Sequence, residues 1–99
     1  MVYVYNVYMF EWDEGKNQSN IEKHGISFEV AKEAFSDPRR IILVDQAHSQ
    51  DEERYFCVGR VGEMILTVRF VLRNETIRIF GAGHWRKERK FYEQRNKIC

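Results

Sequence analysis

Two breaks of two residues each, Gly62-Glu63 and Asn74-Glu75, constrain this chain more than any other feature. They divide the stretch from Arg54 to Gly81 into three runs. Strands joined by so short a turn must be antiparallel, because a parallel pair needs a crossover of a dozen residues or more. Glycine at the first turn position favours a type II′ hairpin. In the middle run, residues 64–72, Met64, Leu66, Val68, Phe70 and Leu72 share one face, while Ile65, Thr67, Arg69, Val71 and Arg73 share the other. Runs at 40–44, 54–61 and 76–81 complete four expected strands.

The first half carries different signals. Phe10-Glu11-Trp12 predicts a short strand, which the alternation in Tyr3-Val4-Tyr5-Asn6-Val7-Tyr8 can lengthen backwards. Asp13 offers an N-cap to a polar helix that runs to His24, where Gly25 can take the left-handed position. Ser27 caps a second helix whose buried stripe is Phe28, Ala31 and Phe35 with Val30 and Ala34 beside them, and Asp37-Pro38 ends it. With few residues between them, the two helices are expected to form a hairpin. Residues 85–97 predict a final helix dense in lysine and arginine. The expected fold is α+β: a two-helix hairpin on one face of an antiparallel sheet and a basic C-terminal helix.

Ninety-nine residues make one expected domain, 1–99, and a 43% apolar share is enough to give it a core. No run of about 18 apolar residues exists, so no membrane partner is expected. The first nine residues lack the basic, apolar and small-residue regions of a signal peptide. Cys57 sits in the apolar run YFCV and Cys99 ends the chain, a usage that suits a reducing, cytoplasmic setting. Net charge is only +1, but it is segregated. Residues 1–53 hold 11 acidic and 5 basic side chains, and residues 54–99 hold 4 and 11. A basic half this dense can serve a polyanion such as nucleic acid, or form a solvated surface.

Strand alternation gathers Arg54 or Arg60, Arg69 and Arg78 on the sheet face away from the helices. Planar guanidinium forks there suit bidentate phosphate contacts; the alternative is pairing with carboxylates such as Glu53 or Glu75. Gly81-Ala82-Gly83-His84-Trp85-Arg86-Lys87 follows, placing a histidine, an indole and two cations beside glycines that let a ligand approach the backbone. Trp85 suits either base stacking or the core. His24 in the last helical turn gains from the helix dipole, and His48 is expected to be a solvated loop residue. No HExxH, paired cysteines or acidic cluster at metal spacing occurs, so neither a metal nor another cofactor is expected. No phosphate-binding glycine loop or nucleophile turn is present.

Phe10-Glu11-Trp12-Asp13-Glu14-Gly15-Lys16-Asn17, then Asn20-Ile21-Glu22-Lys23-His24-Gly25-Ile26-Ser27-Phe28-Glu29, strongly resembles the opening of the BrnT toxin family. The resemblance continues through Phe35-Ser36-Asp37-Pro38, Asp51-Glu52-Glu53-Arg54-Tyr55, Val58-Gly59-Arg60-Val61, Ile77-Arg78-Ile79 and residues 81–92, covering 9–95 in order. It implies a RelE-like fold, RNA cleavage that blocks translation, and a BrnA-type antitoxin through which alone the complex meets operator DNA. The family commonly has an arginine in the loop after the last strand; Gly83 stands there, leaving His84 or Arg86 to replace it. Metal-independent RNA cleavage needs a base, cations for the phosphorane and an acid. The catalytic candidates are Arg54, Arg69 and Arg78 on phosphate, with His84 or Glu53 moving protons. The RNA-binding candidates are Trp85, Arg86, Lys87, Arg60 and Lys23. A non-catalytic nucleic-acid binder, a degenerate toxin kept as a regulator, and a module that seats an acidic antitoxin are the alternatives. Residues 1–8 have no counterpart in the family, so a chain starting at Met9 is expected to fold alike.

Overall fold

The computed structural model describes residues 9–97. The expected extension at 1–8, and Cys99, lie outside them. Strand β1 (Met9–Trp12) gives way at Asp13, whose carboxylate accepts the Gly15 N–H at 2.7 Å and starts α1 (Glu14–His24). Gly25 closes that helix at φ +71°, its N–H donating to Ile21 O. Ser27 Oγ accepts the Val30 N–H and starts α2 (Phe28–Ala31), which tightens into a 3₁₀ turn over Lys32–Ser36. Then come β2 (Ile41–Val44), a 3₁₀ turn at Gln46–His48, β3 (Arg54–Val61), β4 (Met64–Arg73), β5 (Thr76–Gly83) and α3 (Arg86–Arg95).

The five strands lie in the order β1-β5-β4-β3-β2. Strands β2 to β5 are antiparallel, as the two-residue turns require for β3, β4 and β5. Gly62 has φ +63°, the positive first position of a II′ turn, whereas Asn74 and Glu75 are both positive at +51° and +69°. The expected antiparallel sheet needs correction at one edge. β1 runs parallel to β5, Phe10 opposite Ile77 and Trp12 opposite Ile79, so the sheet is mixed. No turn joins β1 to its partner, and the rule that orients the other strands has no hold on it.

One face of the sheet packs Cys57, Leu66, Val68, Phe70, Ile77 and Ile79 against Phe28, Ala31, Ala34 and Phe35. The expected stripe holds except at Val30, which is exposed. The other face is not left bare. Tyr92 of α3 covers Ile41, Val58 and Ile65, so the helices occupy both faces rather than one. Those three apolar side chains face away from α2 and need a cover of their own.

Three contacts fix the helices. Phe28 N–H donates to Asn17 Oδ1 at 2.8 Å, tying α2 to α1. At Gly59 a Cβ would stand 2.5 Å from Ala34 O and 3.1 Å from its Cβ, so the end of α2 lies directly on β3. Asp37 accepts three bonds: from Tyr92 Oη at 2.6 Å, from the Arg60 N–H at 2.7 Å and from the Arg39 N–H at 2.9 Å. One carboxylate thus joins the α2 exit, β3 and α3.

Three expectations follow from this packing. Gly59→Ala should lower stability by about 1–3 kcal/mol, the usual cost of overpacking, because backbone must give way. Glu75→Gly should raise it by roughly 1 kcal/mol, since a non-glycine residue at positive φ carries about that strain; denaturant melts measure both. Burial works against ionised Asp37, but the hydrogen bonds from Tyr92, Arg60 and Arg39 outweigh it and hold its pKa below the ordinary value. Its contribution is therefore full above roughly pH 4 and fades as pH falls through the lowered native value. Tyr92→Phe should cost about 1.5–3 kcal/mol at neutral pH and flatten that acid limb, read from thermal melts between neutral and acid pH.

Candidate functional site

The site begins with an irregularity in β5. Arg69 pairs with Gly81 and Phe70 with Ile79, which leaves Phe80 as an extra residue. Such a bulge resets the alternation of the strand. Ile79 and Ala82 therefore both enter the helix-side core, and Gly81 stays opposite Arg69. Because β1 stops opposite Ile79, α1 takes over the sheet edge beyond it. Asn20 Nδ2 donates to Ala82 O at 2.9 Å, and Ala82 N–H donates to Asn20 Oδ1 at 3.2 Å. The α1 stripe Lys16, Ser19, Asn20, Lys23 and His24 consequently lines a groove of about 270 Å³ together with Arg69, Gly81 and Trp85.

Trp85 is the wall of this groove. Its indole lies on the Gly83 backbone, where a Cβ would meet the ring at 2.7–2.9 Å. The ring meets His24 edge-on at 5.5 Å, and the Arg69 guanidinium carbon lies 5.6 Å from its centre. Arg69 also lies 5.9 Å from Phe56, and Arg54 lies 5.2 Å from Phe80. On its far side Trp85 borders a second groove, about 410 Å³, with His84, Arg86, Arg89 and Lys90. At 36% exposure the indole belongs partly to the core and partly to the surface.

The expected arginines do share the face away from α2, but their partners differ. Arg78 is paired with Glu11 at 3.2 Å and Arg73 with Glu52 at 2.9 Å. Among the described residues no carboxylate pairs with Arg54 or Arg69; aromatic rings support them instead. Arg60 stands apart, six residues along β3 from Arg54 and so about 20 Å away. Its N–H serves Asp37, and its side chain bears on the Asp37–Tyr92 pair. Glu53 accepts from Tyr55 Oη at 2.9 Å, and the Tyr55 ring stacks on Phe70 of the helix-side core. That contact draws Glu53 away from the arginines. Lys87 faces a different groove, with Leu43 and Phe91.

Sequence reasoning counted Lys23 among the RNA-binding residues, favoured a capping role for His24 and passed over Lys16. Their spacing of three, four and seven residues along α1 was the available signal. The stripe is polar, however, and read as solvated. Burial pushes the Cys57 thiol up to about 12, so it is no thiolate nucleophile at neutral pH. Among the described residues no three His, Cys, Asp or Glu side chains converge as a cation site, and no helix is long and apolar enough to cross a membrane.

A family model for the ribonuclease toxin BrnT of type II toxin–antitoxin systems matches residues 12–88. No curated protein matches the chain. The matched span holds the β5 bulge, the α1 stripe, both unpaired arginines and Trp85, and the chain belongs to the BrnT family of ribonuclease toxins.

Proposed function

We propose that this chain cleaves RNA by metal-independent transesterification on the Arg54–Arg69–Trp85 face, and that a BrnA-type antitoxin neutralises it. The observation that carries this is the state of Arg54 and Arg69, held over aromatic rings with no carboxylate to occupy them. A guanidinium supported in that way is aimed without being neutralised, which is what a phosphorane needs. Trp85 stacks a base, while Lys16, Lys23, Arg86 and His84 on either side of it meet backbone phosphates. Arg78, held by Glu11, adds field rather than a direct grip. On this reading the fold is RelE-like, cleavage blocks translation in the cytoplasm, and operator DNA is reached only through the antitoxin.

Purified chain should cut RNA equally well in excess EDTA and leave 2′,3′-cyclic phosphate or 3′-phosphate ends, because the nucleophile is the substrate's own 2′-hydroxyl. Products with 5′-phosphate and 3′-hydroxyl ends would reject the mechanism. Arg69→Ala should lose roughly 10²–10³-fold in rate, about 2.7–4 kcal/mol of transition-state stabilisation. Its stability should fall by only about 0–1 kcal/mol. Glu88→Ala serves as the control and should still arrest growth. RNA binding without cleavage by the unaltered chain would make the protein a binder instead.

A further inference from the structure

A second constellation lies beyond Arg54, in the loop before β3. Asp45 is buried, with its side chain 9% exposed, and both its carboxylate oxygens face His48 Nδ1 at 3.0 and 3.2 Å. The imidazole itself is 60% exposed. Ser49 locks the loop: its hydroxyl donates to Asp45 O at 2.6 Å and accepts the Arg54 N–H at 2.9 Å. Asp45 N–H donates to Arg54 O at 2.7 Å. His48, Gln50, Asp51, Glu52 and Arg54 line a groove of about 310 Å³. Arg54 therefore belongs to two places, this groove and the Phe80 ring beside the Trp85 site.

We propose that His48, held by Asp45 and set beside Arg54, takes the proton from the 2′-hydroxyl in RNA cleavage. The proposal rests on the ribonuclease reading above. An ionised carboxylate only accepts, so the ring N–H of neutral His48 sits on Nδ1 and the free lone pair on Nε2, on the side away from Asp45. Nε2 takes the 2′-hydroxyl proton, the 2′ oxygen bonds to phosphorus, and the bond from phosphorus to the 5′ oxygen breaks. That oxygen takes a proton from water, and His48 returns its own proton to the hydroxide left behind. The products are a 2′,3′-cyclic phosphate and a 5′-hydroxyl. The charged groups facing His48 are Asp45 on its own turn, Asp51 and Glu52 of the next loop, and Arg54 of β3. Glu52 is held by both Arg73 nitrogens at 2.9 and 3.0 Å, which offsets its repulsion of a phosphate.

The test uses the full chain and an RNA oligonucleotide. His48→Ala should lower cleavage by about 10²–10⁴-fold, the usual share of a general base, while RNA affinity holds and melting temperature falls only by what the lost Asp45 partner costs. One limb of the pH–rate profile should disappear, and added imidazole should restore part of the rate. His48→Gln, which keeps a polar side chain on the turn, should lose the rate without imidazole rescue. Cleavage by His48→Ala at the wild-type rate, or a loss that leaves the pH limb in place, would overturn the proposal. Cleavage that needs Arg69 but not His48 sinks this assignment alone; an unaltered chain that cuts no RNA sinks both.

Discussion

Asn20 stands in for a strand, and the ligand side of the molecule depends on it. Residues beyond Ile79 in β5 pair with β4 but have no strand on their outer edge once β1 ends, and an open sheet edge exposes unpaired backbone groups. The Asn20 carboxamide meets both polar groups of Ala82 and also donates to Ile26 O at 2.9 Å. Leaving such groups buried and unpaired costs about 1–3 kcal/mol each, so the register of α1 against β5 is tightly set. That register is what carries Lys16, Lys23 and His24 up to Trp85.

The opposite corner has a matching device. Asp37 gathers the end of α2, the middle of the sheet and α3 on one carboxylate, and Gly59 lets the α2 exit lie flat on β3. With α1 and α3 fixed independently, Trp85 at the start of α3 is held between them. Gly83 lies within β5 rather than in the loop after it, and it has a clear physical role there. A side chain there would collide with the indole, so the glycine and Trp85 are one choice rather than two.

Arginine on a sheet face can be spent on structure or kept for a ligand, and both occur here. Arg73 and Arg78 lie towards the open end of the sheet, where Glu52 and Glu11 reach them. Arg54 starts β3 level with Arg78, while Arg69 lies further in; Phe80, Phe56 and Trp85 give these two support without cancelling charge. A charge tally along the chain cannot make this distinction, because it depends on which carboxylates the β1–β5 register and the loop before β3 bring alongside.

Local rules fixed much of the fold. Turn lengths determined the directions of β3 to β5, the caps at Asp13, Gly25 and Ser27 set the helix ends, and alternation in β4 separated Leu66, Val68 and Phe70 from Arg69. The sequence resemblance also reached the family. Tertiary structure alone decided the parallel pairing of β1, the crossing of α3 to the second face, the bulge at Phe80 and the partners of each arginine. It also turned His24 and His48 from incidental loop and cap residues into members of clusters. Backbone periodicity reports which face a side chain occupies within its own element. It carries no information about which elements meet, since those contacts join residues tens of positions apart through packing that no single segment contains.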